Sequence, residues 1–336
     1  MHENKKILVV GAGALGVTTA YHLRQSGADI SFYVRPGRAE QLQKPLRLYA
    51  YHKRAVDELA DFDVITSPEG LKDKRFSFIL LTLDGAACRS AEGAELLNAL
   101  GNALRDSNAT LLVCGVGFGL IQHVKTQTGF SDDQLIEGTM TSFSYQVGRE
   151  GTPEPDKSMK ELHDSCDFAY QDFQSGRDFM VTGPSRPAKT FVRLYNAAAL
   201  VRCVYLPRNF FRSATASYVS FTTACELSGW NDLDQLIQDQ ALWVLCCRAQ
   251  REILGLKQYG IAGKLMVLLM TNARYEKMMR QMEQEARAMG FIRFFQFHHG
   301  GKVREQNIEG LKNCIKAGEE QGRDMSASKA LYERTR

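Results

Sequence analysis

The sequence predicts an α/β protein in two parts, an N-terminal dinucleotide-binding domain of Rossmann type and a C-terminal domain made only of helices. Three observations carry this. A short apolar run, Ile7 to Val10, breaks into Gly11-Ala12-Gly13-Ala14-Leu15-Gly16. Strand-like apolar runs then alternate with helical periodicities as far as Leu206. Beyond about Arg208 the strand signals stop and long helical patterns take over. A length of 336 residues suits two domains, with the boundary near residue 207: 1–207 and 208–336.

The opening stretch, KKILVVGAGALG, reads as a buried strand running into a dinucleotide-binding turn. Gly11 permits the tight turn, Gly13 lets the backbone approach a pyrophosphate, and Gly16 lets the next helix pack closely on the sheet. That helix runs from about Ala14 to Ser26, amphipathic through Leu15, Thr19, His22 and Leu23, with Gly27 as its C-cap. Its N-terminal amides and dipole would face phosphate. The second strand, Ala28 to Val34, ends at Arg35, with Arg38 close behind. An acidic residue at that place selects NAD; a guanidinium there grips a 2′-phosphate with two charge-assisted bonds, so the expected cofactor is NADP.

Short strands are expected around Leu46–Tyr51 and Val64–Thr66. Phe76 to Leu83 is continuously apolar and reads as a central parallel strand. Ala86 to Leu104 has helical spacing, and Thr110 to Cys114 is a strand entering a second glycine turn, Gly115-Val116-Gly117-Phe118-Gly119. Further strands are expected at Thr139–Val147 and Phe179–Thr182, with residues 151–174 a polar surface excursion between them. A helix over Ala188–Val201 and a strand over Cys203–Leu206 complete the domain. Helices follow near Arg212–Ser228, Leu233–Gln258, Gly263–Met289, Arg304–Gln321 and Ser326–Thr335, with a loop holding Arg293 and His298-His299 between Gly290 and Gly300-Gly301.

Composition excludes several classes. Net charge is +4 on 42 basic and 38 acidic side chains, which gives no argument for nucleic acid or a membrane surface. No eighteen-residue apolar window exists to span a bilayer. The first residues, MHENKK, lead straight into a strand and leave no room for a signal peptide. Eight cysteines occur without a C-x-x-C pair, mostly in apolar runs, as expected of reduced, buried thiols in a cytoplasmic protein without a structural metal.

With these residues in view, the chain resembles the ketopantoate reductase family, NADPH-dependent enzymes that reduce 2-dehydropantoate to pantoate. KKILVVGAGALG is similar to that family's opening. Arg35 falls where the family places its 2′-phosphate arginine. Glu305, Gly310, Gly322 and Leu331-Tyr332 fill its closing signature. The resemblance implies a 6-phosphogluconate dehydrogenase-like architecture. It places the cofactor cradle at Gly11, Ala12, Gly13, Ala14, Leu15, Gly16, Arg35, Leu83, Val116, Gly117 and Glu305. It places the catalytic positions at Ser217, Arg293 and Glu305. The middle of the chain departs from the family. A lysine that ends its third-motif strand is replaced, Leu83 being followed by Asp84. Its asparagine ahead of a glycine is Val116 before Gly117. Its catalytic lysine and two following asparagines align with Ser217, Phe221 and Cys225, and 212–239 contains no lysine at all. Arg293 stands near a family serine and would clamp a substrate carboxylate.

The expected activity is hydride transfer between NADPH and a small keto or hydroxy acid, the substrate lying in the cleft between domains. Serine is a poor acid on its own, so Tyr218, His298 and His299 are candidate replacement donors. The alternative is a non-catalytic NADP(H)-binding sensor on the same fold. Leu242 to Leu245 and Leu265 to Met270 make their helices apolar on more than one face, which suggests a homodimer.

Overall fold

The computed structural model describes residues 5–115, 117, 119–173 and 177–335. Among these lie strands β1 (Lys6–Val10), β2 (Asp29–Tyr33), β3 (Leu46–Ala50), β4 (Ala55–Leu59), β5 (Phe62–Ile65), β6 (Phe78–Leu81), β7 (Thr110–Val113), β8 (Leu135–Met140), β9 (Phe143–Gln146), β10 (Phe168–Gln171), β11 (Phe179–Thr182) and β12 (Cys203–Tyr205). The chain divides into two compact units, residues 1–150 with 155–206, and residues 151–154 with 207–336.

The first unit is built on an eight-stranded sheet of order β12-β11-β8-β7-β6-β1-β2-β5. It is parallel except where β11 runs antiparallel to β8. A sheet covered on both faces wants continuous apolar strands, and β1 shows why. Ile7 and Val9 pack with Val17, Ala20 and Leu23 of helix Ala14–Gln25 on one face. Leu8 and Val10 pack with Leu97, Leu100 and Leu104 of helix Ala91–Leu104 on the other. The chain passes from β1 to β2 on one side and onward to β6 on the other. The carboxyl end of β1 is therefore a topological switch point, where open α/β sheets bind ligands.

A second sheet, β4-β3-β10-β9, departs from the expectation. The run over 139–147 is two strands in different sheets, β8 and β9, parted at Thr141-Ser142. The segment 151–173 is a surface excursion only in part: 151–165 is mostly exposed and carries helix Lys160–Asp164, but the chain then enters the fully buried β10. This sheet packs on helix Ala14–Gln25, so that every residue from Gly16 to Leu23 is buried. The helix is thus enclosed rather than amphipathic. Its buried His22 is satisfied by the Asp172 carboxylate at 3.1 Å and the Tyr195 hydroxyl at 3.0 Å.

The second unit is helical. Each of the first three helices expected there is broken in two by a local device. Arg208–Ala216 and Tyr218–Leu227 meet at Ser217. Asp239 caps Gln240–Leu254 by accepting from the Leu242 amide, which separates it from Leu233–Gln238. Thr271 caps Asn272–Glu285 the same way and ends Gly260–Leu269. The expected loop after Gly290 is instead helix Phe291–Phe295, continued by a π-helical stretch, Gln296–Lys302, into Arg304–Glu320.

The last helix, Ser326–Arg334, is held at its N-terminus by Glu252, whose two oxygens accept from the Ala327 amide, the Ser328 amide and the Ser328 hydroxyl at 2.8–2.9 Å. Glu252→Ala leaves these donors without a charged acceptor. It is expected to destabilise the helical unit by about 1.5–3 kcal/mol, measured as a lower urea midpoint at unchanged slope.

Candidate functional site

The site in the first unit grows out of the switch point. Gly11 has φ +99°, which a side chain would strain, and its amide donates to the Tyr33 carbonyl at 3.0 Å. Gly16 is forced by space: a Cβ there would stand 2.4 Å from the Gly11 carbonyl oxygen and 2.8 Å from Thr82 Oγ1. Gly13 is the opposite case. It is exposed, with open space where its Cβ would be, so the outer face of the turn is free for close approach. Helix Ala14–Gln25 begins directly behind it with no side-chain cap and no acidic residue in its first turn. The amides of Ala14, Leu15 and Gly16 therefore point at a space that suits a phosphate.

Two residues complete the turn in ways the sequence did not reveal. Thr82, just past β6, donates from Oγ1 to the Val10 carbonyl at 2.8 Å and lies 3.1 Å from the Gly11 carbonyl. It pins the turn to the neighbouring strand. Arg38 donates from Nη2 to the carbonyl of Ala12 at 2.9 Å, tying the loop after β2 to the turn. Arg35 caps the short helix Pro36–Ala39 from an extended backbone and is exposed. Burial first, then the Arg149 cation, pull the pKa of Arg38 below its ordinary value. A neighbourhood in which like charges disfavour one another suits an anion, and the guanidinium stays charged throughout.

Leu83 lies between the two glycine turns. Its side chain is 3.2 Å from where a Gly11 Cβ would be, and its carbonyl is 3.0 Å from the corresponding point at Gly115. Asp84 has a structural role, accepting from the Ala87 amide at 2.8 Å to start helix Gly85–Arg89. Gly117 is exposed and its carbonyl accepts from Leu120 at 3.3 Å. Val116 falls outside the described residues.

In the second unit Ser217 is buried, 4% exposed, and its hydroxyl donates to the Ala214 carbonyl at 2.7 Å. Phe221 and Cys225, one and two turns on, are fully buried. Phe221 sits among the rings of Tyr275, Phe291 and Phe295 at 5.6–6.4 Å, and Tyr275 stacks on Trp243 at 5.6 Å. Arg293 is exposed in Phe291–Phe295, its stem folded over Gly290, and Glu305 is exposed in the first turn of Arg304–Glu320. No hydrogen bond or ion pair joins Ser217, Arg293 and Glu305 among the described residues. Tyr218 donates to Met282 Sδ at 3.2 Å, and burial pushes its pKa up to about 12.

Residues 7–149 match the family model described as ketopantoate reductase PanE/ApbA. Across the whole length the chain is similar in structure to 2-dehydropantoate 2-reductase from Geobacter metallireducens, at 16% identity and a TM-score of 0.67, with 98% of each chain covered. It is also similar to D-mandelate dehydrogenase in a ternary complex with NADH and anilino(oxo)acetate, at 12% identity and a TM-score of 0.69, covering 98% of this chain and 96% of that one. A dimeric ketopantoate reductase from Staphylococcus aureus matches at 12% identity and a TM-score of 0.62, covering 98% and 96%. The family and these neighbours are oxidoreductases acting on CH–OH groups. The match to the ketopantoate reductase PanE/ApbA model covers residues 7–149, and the fold of the chain is that of the ketopantoate reductases.

Proposed function

We propose that the protein is an NADP-dependent oxidoreductase that works between a small 2-keto acid and its hydroxy acid. The observation that carries this is the pairing of an open glycine turn and uncapped helix with Arg38, bound to the Ala12 carbonyl, and Arg35 on the same loop. Bound NADPH supplies a hydride. The amides of Ala14 to Gly16 hold its pyrophosphate and Arg35 and Arg38 its 2′-phosphate, with Leu83 and Gly117 beside them. Glu305 serves the cofactor or substrate hydroxyls, and exposed Arg293 receives the substrate carboxylate. The D-mandelate dehydrogenase bound to an oxo acid lends support for the substrate class. The test is cofactor oxidation by a panel of 2-keto acids; NADPH binding without turnover on any of them would leave the alternative, a non-catalytic NADP(H)-binding sensor. One observation favours that alternative: Ser217, Phe221 and Cys225 are all buried.

A homodimer formed through the helical unit belongs to the same proposal, as does a cytoplasmic setting; no described helix is long and apolar enough to cross a membrane. On Gly260–Leu269, Ile261 is 84% and Leu268 77% exposed, with Leu265 and Leu269 on the same stripe and Lys264 its single charge. Light scattering should give a dimer mass, and Leu268→Glu should shift it toward monomer. A monomer mass for the parent protein across a wide concentration range would remove the pairing.

A further inference from the structure

We infer that His299 presents its Nε2–H, as a neutral imidazole, to the carbonyl oxygen of an oxo-acid substrate. This rests on the oxo-acid reading above and names the group that would stand in for the absent lysine. The ring is carried on an unusual turn. Gln296–Lys302 is π-helical, with the Val303 amide donating five residues back to the His298 carbonyl at 3.0 Å. Such wide turns turn side chains out of the regular helical register and recur at functional sites. This one is clamped from below: a Cβ on Gly300 would meet the Trp230 ring at 2.6 Å, so the turn rests directly on the indole. The His299 ring lies against Phe295 at 4.9 Å and edge-on to His298 at 4.8 Å.

The tautomer follows from one neighbour. Asn307 Nδ2 is 3.1 Å from His299 Nδ1 and 3.3 Å from the His299 carbonyl oxygen. Only an N–H satisfies a carbonyl, so the amide is oriented with its NH₂ toward the histidine. Nδ1 must then accept, and the ring proton sits on Nε2. Nε2 has no protein partner among the described residues, and it is not among the unpartnered polar atoms sealed from solvent. Burial holds the ring neutral, its pKa pulled down to about 4. A neutral imidazole donates a hydrogen bond to a carbonyl without introducing a full charge, and a fixed donor of this kind strengthens as charge builds on oxygen.

The test uses full-length protein labelled with ¹⁵N at histidine, with His299→Asn identifying the resonance among the seven histidines. At pH 7 His299 should be protonated at Nε2 and bare at Nδ1. Asn307→Leu, which removes the donor without adding charge, should release that preference while the fold, followed by circular dichroism, stays intact. Oxamate, an unreactive oxo-acid mimic, added to the NADPH-loaded protein should move the Nε2 signal, and its affinity should fall about 10-fold or more in His299→Asn while NADPH affinity is unchanged. An Nδ1–H tautomer, an imidazolium at pH 7, or oxamate binding that leaves Nε2 unmoved would overturn the assignment. Failure of oxamate to bind while NADPH binds tightly would overturn both the assignment and the oxo-acid reading.

Discussion

2-Dehydropantoate should be a poor substrate, with kcat/KM at least about 10²–10⁴-fold below that of an efficient reductase, the span that a positioned acid contributes. On the alignment that sets Ser217 at the family's lysine, an ammonium is replaced by a neutral hydroxyl, and that hydroxyl already donates to the Ala214 carbonyl at 2.7 Å. Freeing it would cost that hydrogen bond, about 0.5–1.5 kcal/mol. Phe221, packed among aromatic rings, and Cys225, at the places of two polar positioning residues, are fully buried and offer a substrate nothing. Ser217→Lys alone should therefore recover little, since a lysine at a site only 4% exposed must shed water or distort the joint between two helices. Assay of NADPH oxidation with 2-dehydropantoate decides this. A kcat/KM of roughly 10⁴ M⁻¹s⁻¹ or higher would mean that the alignment is wrong or that another group, such as His299, delivers a proton and not merely a hydrogen bond.

The part of the fold that was legible in the sequence is the part built from contiguous residues. The strand-turn-helix of Lys6 to Gln25 announces itself because its glycines are demanded by local geometry, Gly11 by its positive φ and Gly16 by contact with the Gly11 carbonyl. The second sheet was not legible, because its central pair, β3 with β10, joins Leu48 to Phe168 across much of the domain, and four-residue β10 is too short to show a period. Helix breaks at Asp239 and Thr271 lay hidden under continuous apolar patterns, although each cap is a residue type that ends helices. In the cofactor cradle the sequence showed two arginines after β2, but not that Arg38 would turn back onto Ala12, which depends on the short helix Pro36–Ala39. In the helical unit the obstacle was larger. The π-helical turn has no sequence period, and the tautomer of His299 depends on Asn307, a contact made only after the turn has formed.

Arg35 and Arg38 should separate cofactor choice from turn integrity. The parent protein is expected to bind NADPH more tightly than NADH, because the position that carries an acid in NAD-binding turns carries Arg35 instead. Arg35→Ala removes charge-assisted bonds to the 2′-phosphate worth about 1.5–3 kcal/mol, a ten- to hundred-fold loss for NADPH, with little change for NADH. Among the described residues no hydrogen bond joins Arg35 to the glycine turn; it is exposed and caps a four-residue helix. Arg38→Ala should behave differently. Its Nη2 holds the Ala12 carbonyl at 2.9 Å, so the substitution loosens the turn that either cofactor needs, and both affinities should fall. NADPH should fall further, because it also loses a phosphate partner. Arg38→Lys keeps the charge but not the planar fork, and should restore part of the phosphate grip without the full bond to Ala12. Fluorescence titration of both cofactors against the parent and the three variants reads all of this in one series. Equal NADPH and NADH affinities in the parent would remove the basis for NADP. An Arg38→Ala variant that weakened NADPH alone would show that its bond to Ala12 does not support the turn.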